Sequence, residues 1–315
     1  MVHRGSKPRR DLIEASYAPS TLRKYRDAVS HFLSWASHNG EDPIDPDDFD
    51  DTLCDYFHFL YDNDQGKGKA HATLYGILMT MPRLDGHLRL SARCLRGWAK
   101  LHPAKAYPPL TWELTCLIAL RLCLSGRLRH AVGVLLSFDC LLRVGELVNL
   151  RREDVADAKD ARIGVASKDM TLRLRSTKTG PNQWVIVRDP SVKILLRKLL
   201  ASTSPGDFVF PFSATTYRNH FKAACAALGL SSAYVPHSLR HGGATRAHLL
   251  GMPLEDILIR GRWASSKSAR RYIQAGRALL LTMDVPVSVQ ALAGSVSGDL
   301  LLFLTLAQSH TVRGG

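Results

Sequence analysis

The chain is predicted to be mainly α-helical, with a helical N-terminal domain followed by a mostly helical second domain that carries a small antiparallel sheet. Three observations lead there. Apolar residues recur at helical spacing along most of the 315 residues, one stretch after residue 170 changes to strand-like composition, and a proline-rich segment divides the whole. With 45% hydrophobic content at this length, the chain can bury one large core or two smaller ones, and the dividing segment favours two.

From Ser20 to Ala36, Leu22, Tyr25, Val29, Phe32, Leu33 and Ala36 keep helical spacing, and Ser20 or Thr21 can cap the start. Leu53, Tyr56, Phe57 and Leu60 mark a second helix, with two more over about 69–80 and 84–100. Residues 101–109 read as an extended linker, because Pro103, Pro108 and Pro109 cannot continue a helix. Thr111 is a good N-cap with Glu113 in the first turn, and helices over 111–125 and 127–150 follow. Thr171 to Arg175 and Trp184 to Val187 then look like two strands joined through Thr177-Lys178-Thr179-Gly180-Pro181-Asn182. Helices return over 191–201, 214–228, 237–250, 253–260 and 266–280.

Charge narrows the choice of partner. The net charge of +14 calls for a polyanionic partner, nucleic acid or an acidic membrane surface, and the excess sits almost wholly after residue 105, where the basic side chains concentrate. In contrast, residues 41–64 hold Asp and Glu without Lys or Arg, the mark of a solvated face turned away from such a partner. The basic N-terminus is followed by no apolar run, so no signal peptide is expected, and the apolar run from Leu300 to Ala307 is too short for a membrane span of roughly 20 residues. Cys54, Cys94, Cys116, Cys123, Cys140 and Cys225 form no Cys-x-x-Cys pair and read as buried thiols in a reducing compartment, neither a disulfide framework nor a zinc site.

The candidate site residues are unremarkable one at a time. His237 and Arg240 share one helix face, Arg143 and Glu146 have the spacing of a surface ion pair, Lys178 sits in an ordinary turn, and a lone Tyr272 is more often core than nucleophile. Their order carries the signal. Leu141-Leu142-Arg143-Val144-Gly145-Glu146-Leu147, Ser176-Thr177-Lys178-Thr179-Gly180, the box His237-Ser238-Leu239-Arg240-His241-Gly242-Gly243-Ala244-Thr245, and Gly261-Arg262-Trp263 leading to Tyr272 together resemble the tyrosine recombinase (phage integrase) family. Trp263 stands where many members have His, as in the Cre-like branch, and Leu141 stands where Gly is common, a departure expected to touch packing more than chemistry.

The resemblance implies a helical core-binding DNA clamp over 18–103, a catalytic domain over 111–282 and a tail over 283–315 available for docking on a neighbouring protomer. It further implies a site-specific recombinase that cleaves and rejoins DNA through a 3′-phosphotyrosyl intermediate without metal, ATP or cofactor. Arg143 and Arg240 would bind the non-bridging oxygens, with Trp263 as a donor or brace. His237 would take the proton of Tyr272, a group whose free pKa is about 10, and Lys178 would protonate the leaving 5′ oxygen. Glu146 and His241 would support the pocket, and Arg262, Lys267, Arg270 and Arg271, with Arg260 and Arg277, would grip the DNA backbone. Expected partners are double-stranded DNA and further copies of the chain, as a tetramer on two sites, inside the cell and away from membranes. The alternatives are relaxation of DNA in the manner of a type IB topoisomerase and a DNA-binding derivative of a mobile element that no longer recombines.

Overall fold

The computed structural model describes Leu12 and residues 14–103, 107–157, 169–177 and 180–313. Contacts divide the chain into two compact units, Met1–Lys105 and Ala106–Gly315.

The first unit holds α1 (Pro19–His38), α2 (Pro46–Asp62), α3 (Lys67–Thr80), a 3-10 turn at Pro82–Leu84 and α4 (Arg89–Leu101). Proline opens α1 without help from a side-chain cap, so the capping role expected of Ser20 or Thr21 is not used. Phe32, Leu53, Tyr56, Phe57, Leu60, Ile77 and Trp98 meet in one core. The acidic segment is mostly surface, with one exception: Asp50 is buried and accepts from Leu90 N at 2.7 Å and Ser91 N at 2.8 Å, so its carboxylate satisfies the open N–H groups at the start of α4.

The second unit begins with α5 (Trp112–Leu124), capped as expected by the Thr111 hydroxyl, which accepts from Leu114 N at 3.2 Å. The helix expected over 127–150 is two helices, α6 (Leu128–Asp139) and α7 (Val144–Val148). Between them Leu141 has a φ of 52°, which stops helical hydrogen bonding where hydrophobic spacing alone would continue it. A three-stranded antiparallel sheet follows, in the order β1 (Val155–Ala156), β2 (Met170–Thr177), β3 (Gly180–Val187); Val155 pairs with Leu172, and Thr171 with Ile186. The expected hairpin is thus present, with β1 added at its outer side. Next come α8 (Pro190–Ala201), α9 (Ala214–Ala227), α10 (Pro236–Leu249) and α11 (Leu254–Gly261). The helix expected over 266–280 is also broken, into α12 (Ser266–Arg270) and α13 (Ala275–Met283), and Tyr272 lies in the break.

The tail forms α14 (Val287–Gly298) and α15 (Leu300–Arg313), which pack on α5 of the same unit. Val285, Val296, Leu300, Leu304 and Ala307 belong to the main core, and Cys123 Sγ reaches Leu304 O at 3.6 Å. The apolar crowding that suggested docking on a second protomer is therefore largely accounted for by the chain's own core, leaving Leu302 and Leu306 exposed. No single helix among the described residues is long and apolar enough to cross a membrane. Of the six cysteines, Cys54 and Cys94 are only half-buried, unlike the other four.

Candidate active site

The site is built on the two breaks in helical structure and on α10 between them. At the first break, a left-handed conformation costs an L-residue about 1–2 kcal/mol, which glycine would avoid. Leu141 holds it because its side chain is 1% exposed, in one cluster with Ala244, Ile257 and Trp263. Leucine in place of the frequent glycine is thus a matter of backbone conformation as well as of packing. The turn aims the Leu141 carbonyl at two guanidinium groups: it accepts from Arg240 Nη1, and from Arg262 Nη2 at 2.7 Å.

Arg143 caps the start of α7, and Glu146, three residues on, reaches back to it. Glu146 Oε2 accepts from Arg143 N at 2.8 Å and Oε1 from Arg143 Nη1 at 2.6 Å. The second partner of Glu146 is Arg262, whose Nη2 donates to Oε2 at 2.8 Å. Burial alone would raise the Glu146 carboxyl, but Arg262 and Arg143 outweigh it and hold the pKa below the usual carboxylate value. Arg262 is therefore not part of a DNA-gripping surface. Its side chain is 3% exposed and its Nη1 donates to Arg260 O at 2.9 Å, so it is an internal brace of the break. The same correction applies to Arg260, which pairs with Asp139 at 2.9 Å and donates to Ile186 O. Lys267, Arg270 and Arg271 are exposed, as a surface contacting phosphate would need.

At two glycines helix α10 comes close to neighbouring backbone, with the Phe138 and Leu141 side chains beside the contact. A Cβ on Gly242 would lie 1.9 Å from Leu110 O, and one on Gly243 would lie 2.2 Å from Phe138 O. This contact lets His237, Arg240, His241 and Thr245, four residues of one helical face, reach the breaks on either side. Arg240 is fully buried: Nη2 donates to Gly261 O, and the guanidinium carbon lies 4.4 Å from the Trp263 ring centroid and 5.4 Å from that of Tyr272. Burial, then Arg143 and Arg262, pull its pKa down, while the group stays charged at neutral pH. Each Nη keeps one N–H beyond these bonds. The group has no exposed surface, with the Leu141 and Gly261 carbonyls and the Trp263 and Tyr272 rings around it.

Tyr272 is enclosed on three sides. His237 Nε2 lies 3.2 Å from its hydroxyl, the His241 ring stacks on it with centroids 4.4 Å apart, and Trp263 tilts against it at 4.7 Å. Burial, then Arg240 and Arg143, depress His237 to about 4; burial, then His237 and Arg240, depress His241 to about 3. Both imidazoles are neutral at pH 7, so His237 can accept a proton. The Trp263 indole N–H has no partner among the described residues and its ring spans Arg240 and Tyr272, which makes it a brace with a donor to spare. Lys178 lies outside the described residues.

Three contributors were not foreseen. Tyr107 sets its ring edge-on to His237 at 5.5 Å, Thr245 donates to Tyr272 O at 3.1 Å, and Gln274 Nε2 lies 3.1 Å from His241 Nδ1. Thr245 could have been read from the sequence, since it follows His237 and His241 at helical spacing. Tyr107 and Gln274 carry no such signal. Among the described residues no three His, Cys, Asp or Glu side chains come together as metal ligands.

Residues 118–278 match the phage integrase family. No curated protein matches the chain. Among solved structures, a lambda integrase (75–356) dimer bound to a COC' core site is similar at 17% identity and a TM-score of 0.57, over 84% of this chain and 92% of that one. The Tn1549 transposon integrase in complex with circular intermediate DNA is similar at 12% identity and a TM-score of 0.56, over 82% and 98%. The XerH site-specific recombinase in a post-cleavage complex with a palindromic difH substrate gives 15% and 0.51, over 73% and 68%. These likenesses are of fold.

Proposed function

The chain belongs to the phage integrase family of site-specific DNA recombinases, and we propose that Tyr272 is its nucleophile. The observation that carries the reading is the hydroxyl of Tyr272 held 3.2 Å from a neutral His237 imidazole, in a ring whose centroid lies 5.4 Å from the buried Arg240 guanidinium. His237 takes the phenolic proton as the oxygen attacks phosphorus. The bond from phosphorus to the 5′ oxygen breaks, leaving a 3′-phosphotyrosyl ester and a 5′ hydroxyl. Lys178 supplies the proton to that oxygen, as its place in the sequence pattern suggests. Arg143 and Arg240 stabilise the charge that develops on the non-bridging oxygens, the role a divalent cation plays elsewhere. The ester conserves bond energy, so rejoining needs no ATP.

The partners follow from the same reading: duplex DNA along the exposed Lys267, Arg270 and Arg271, the first unit as the second half of a clamp, and four copies of the chain on two sites. Since most of the tail's apolar residues are committed to its own core, docking between copies would use Leu302 and Leu306. The test is a nicked suicide duplex incubated in EDTA and run on a denaturing gel. Wild type is expected to form a covalent adduct and Tyr272→Phe to bind without forming one. An undiminished adduct in the variant, or a strict need for magnesium, would overturn the mechanism.

A further inference from the structure

Arg240 is fully buried, with the Tyr272 ring on one side of its guanidinium, so on the proposed mechanism that ring must make way for a phosphate while its oxygen still arrives at a fixed place. The break between α12 and α13 reconciles the two requirements. Tyr272 N donates to Ala269 O at 2.9 Å, which ties the residue to the end of α12. On its other side the backbone is tied to α10 by one buried hydroxyl: Thr245 Oγ1 donates to Tyr272 O at 3.1 Å and accepts from Gln274 N at 3.0 Å. Thr245 is 2% exposed, so neither bond competes with bulk water.

The Gln274 side chain adds a second tie. Its amide nitrogen donates to Arg271 O at 2.8 Å and faces His241 Nδ1 at 3.1 Å, while its oxygen accepts from Arg277 Nη1 at 3.1 Å. With the amide as donor, Nδ1 of His241 is the acceptor and its proton sits on Nε2, which fixes the ring that stacks on Tyr272. Both ties return to α10, the helix that carries His237 and Arg240.

We infer that Thr245 and Gln274 are positioning residues for cleavage, a latch that holds the backbone of Tyr272 against α10 while its ring swings off Arg240 to admit the phosphate. The inference rests on Tyr272 being the nucleophile. A ring pivoting from a fixed Cα returns its oxygen to one arc, whereas a free break would spread it over several ångströms. A misplacement near 1 Å is enough to slow a reaction by about a hundredfold.

The test compares Thr245→Val, which keeps the shape and loses both bonds, with Thr245→Ser, which keeps the hydroxyl. Single-turnover adduct formation on the suicide duplex is measured at saturating protein, with Kd from gel shift and Tm from thermal melting. Thr245→Val is expected to form adduct about ten- to a hundredfold more slowly at an unchanged Kd, and Thr245→Ser to recover to within about threefold of wild type. A valine variant as fast as wild type, a serine variant as slow as valine, or a loss of rate matched by a loss of binding would overturn the latch. If the valine variant fails to fold, Gln274→Met, at a partly exposed position, takes its place: slower adduct formation at an unchanged Kd supports the latch and an unchanged rate overturns it. Tyr272→Phe runs alongside. Adduct formation by that variant would mean that the nucleophile assignment itself has failed, which is distinguishable from failure of the latch.

Discussion

Replacing Arg262 with alanine separates a buried brace from a DNA contact, since the two roles predict opposite results. Its guanidinium donates at 2.7 Å to Leu141 O, at 2.8 Å to Glu146 Oε2 and at 2.9 Å to Arg260 O, from a side chain only 3% exposed. Arg262→Ala leaves Glu146 with Arg143 alone and strips a donor from the carbonyl that also serves Arg240. Breaking a buried pair of this kind costs roughly 3–5 kcal/mol. For a unit of this size each kcal/mol moves the Tm by about 2–4 °C, so a fall on the order of 10 °C is expected. DNA affinity, measured well below that Tm over a range of salt concentrations, tests the other role. Each phosphate contact contributes about 0.9 to the slope of log K against log salt. Arg262→Ala should leave the slope unchanged, whereas Arg270→Ala, at an exposed position, should lower the slope and spare the Tm. An Arg262→Ala protein with native Tm and a slope reduced by about one would refute the brace.

Two further predictions concern stability. His237 and His241 titrate near 4 and 3 in the folded chain, below the ordinary value near 6.5, so the unfolded chain binds protons first as pH falls. Stability should therefore decline from about pH 6.5 downward and stop declining on their account only below about pH 3; urea midpoints between pH 7 and pH 5 check it, and a flat profile would contradict it. Truncation after Thr282 removes Val285, Val296, Leu300 and Leu304 from the core. At roughly 1.5–3 kcal/mol for each buried side chain, the loss rivals the whole stability of a domain, so the shortened chain should be insoluble or unfolded by circular dichroism. A soluble truncated protein with native Tm would show that the tail is dispensable to the fold.

The sequence made legible what repeats and what is ordered. Helical spacing located most helices, and the order of His237, Arg240, Trp263 and Tyr272 pointed to side chains that the fold brings into contact from successive elements. Both breaks escaped it for one reason. Hydrophobic spacing continues through Leu141 and through Ile273, and nothing local records that Leu141 turns left-handed or that residues 271–274 leave the helix. Arg262 was misassigned because a basic residue amid basic neighbours reads as surface, while its partner, Glu146, lies over a hundred residues away in sequence.

The contact of Gly242 and Gly243 with the backbone at Leu110 and Phe138 has a consequence for tolerance. Side chains between two helices act as a cushion, because a rotamer can change and absorb a small displacement. Here backbone meets backbone at two points, and only the Phe138 and Leu141 side chains lie beside them. A shift at the end of α6 has little room to be absorbed before it reaches α10, the helix that carries His237 and Arg240. A bulkier residue at either glycine should therefore disturb both ends of the contact at once, so the site tolerates less change here than a helix pair packed through side chains would.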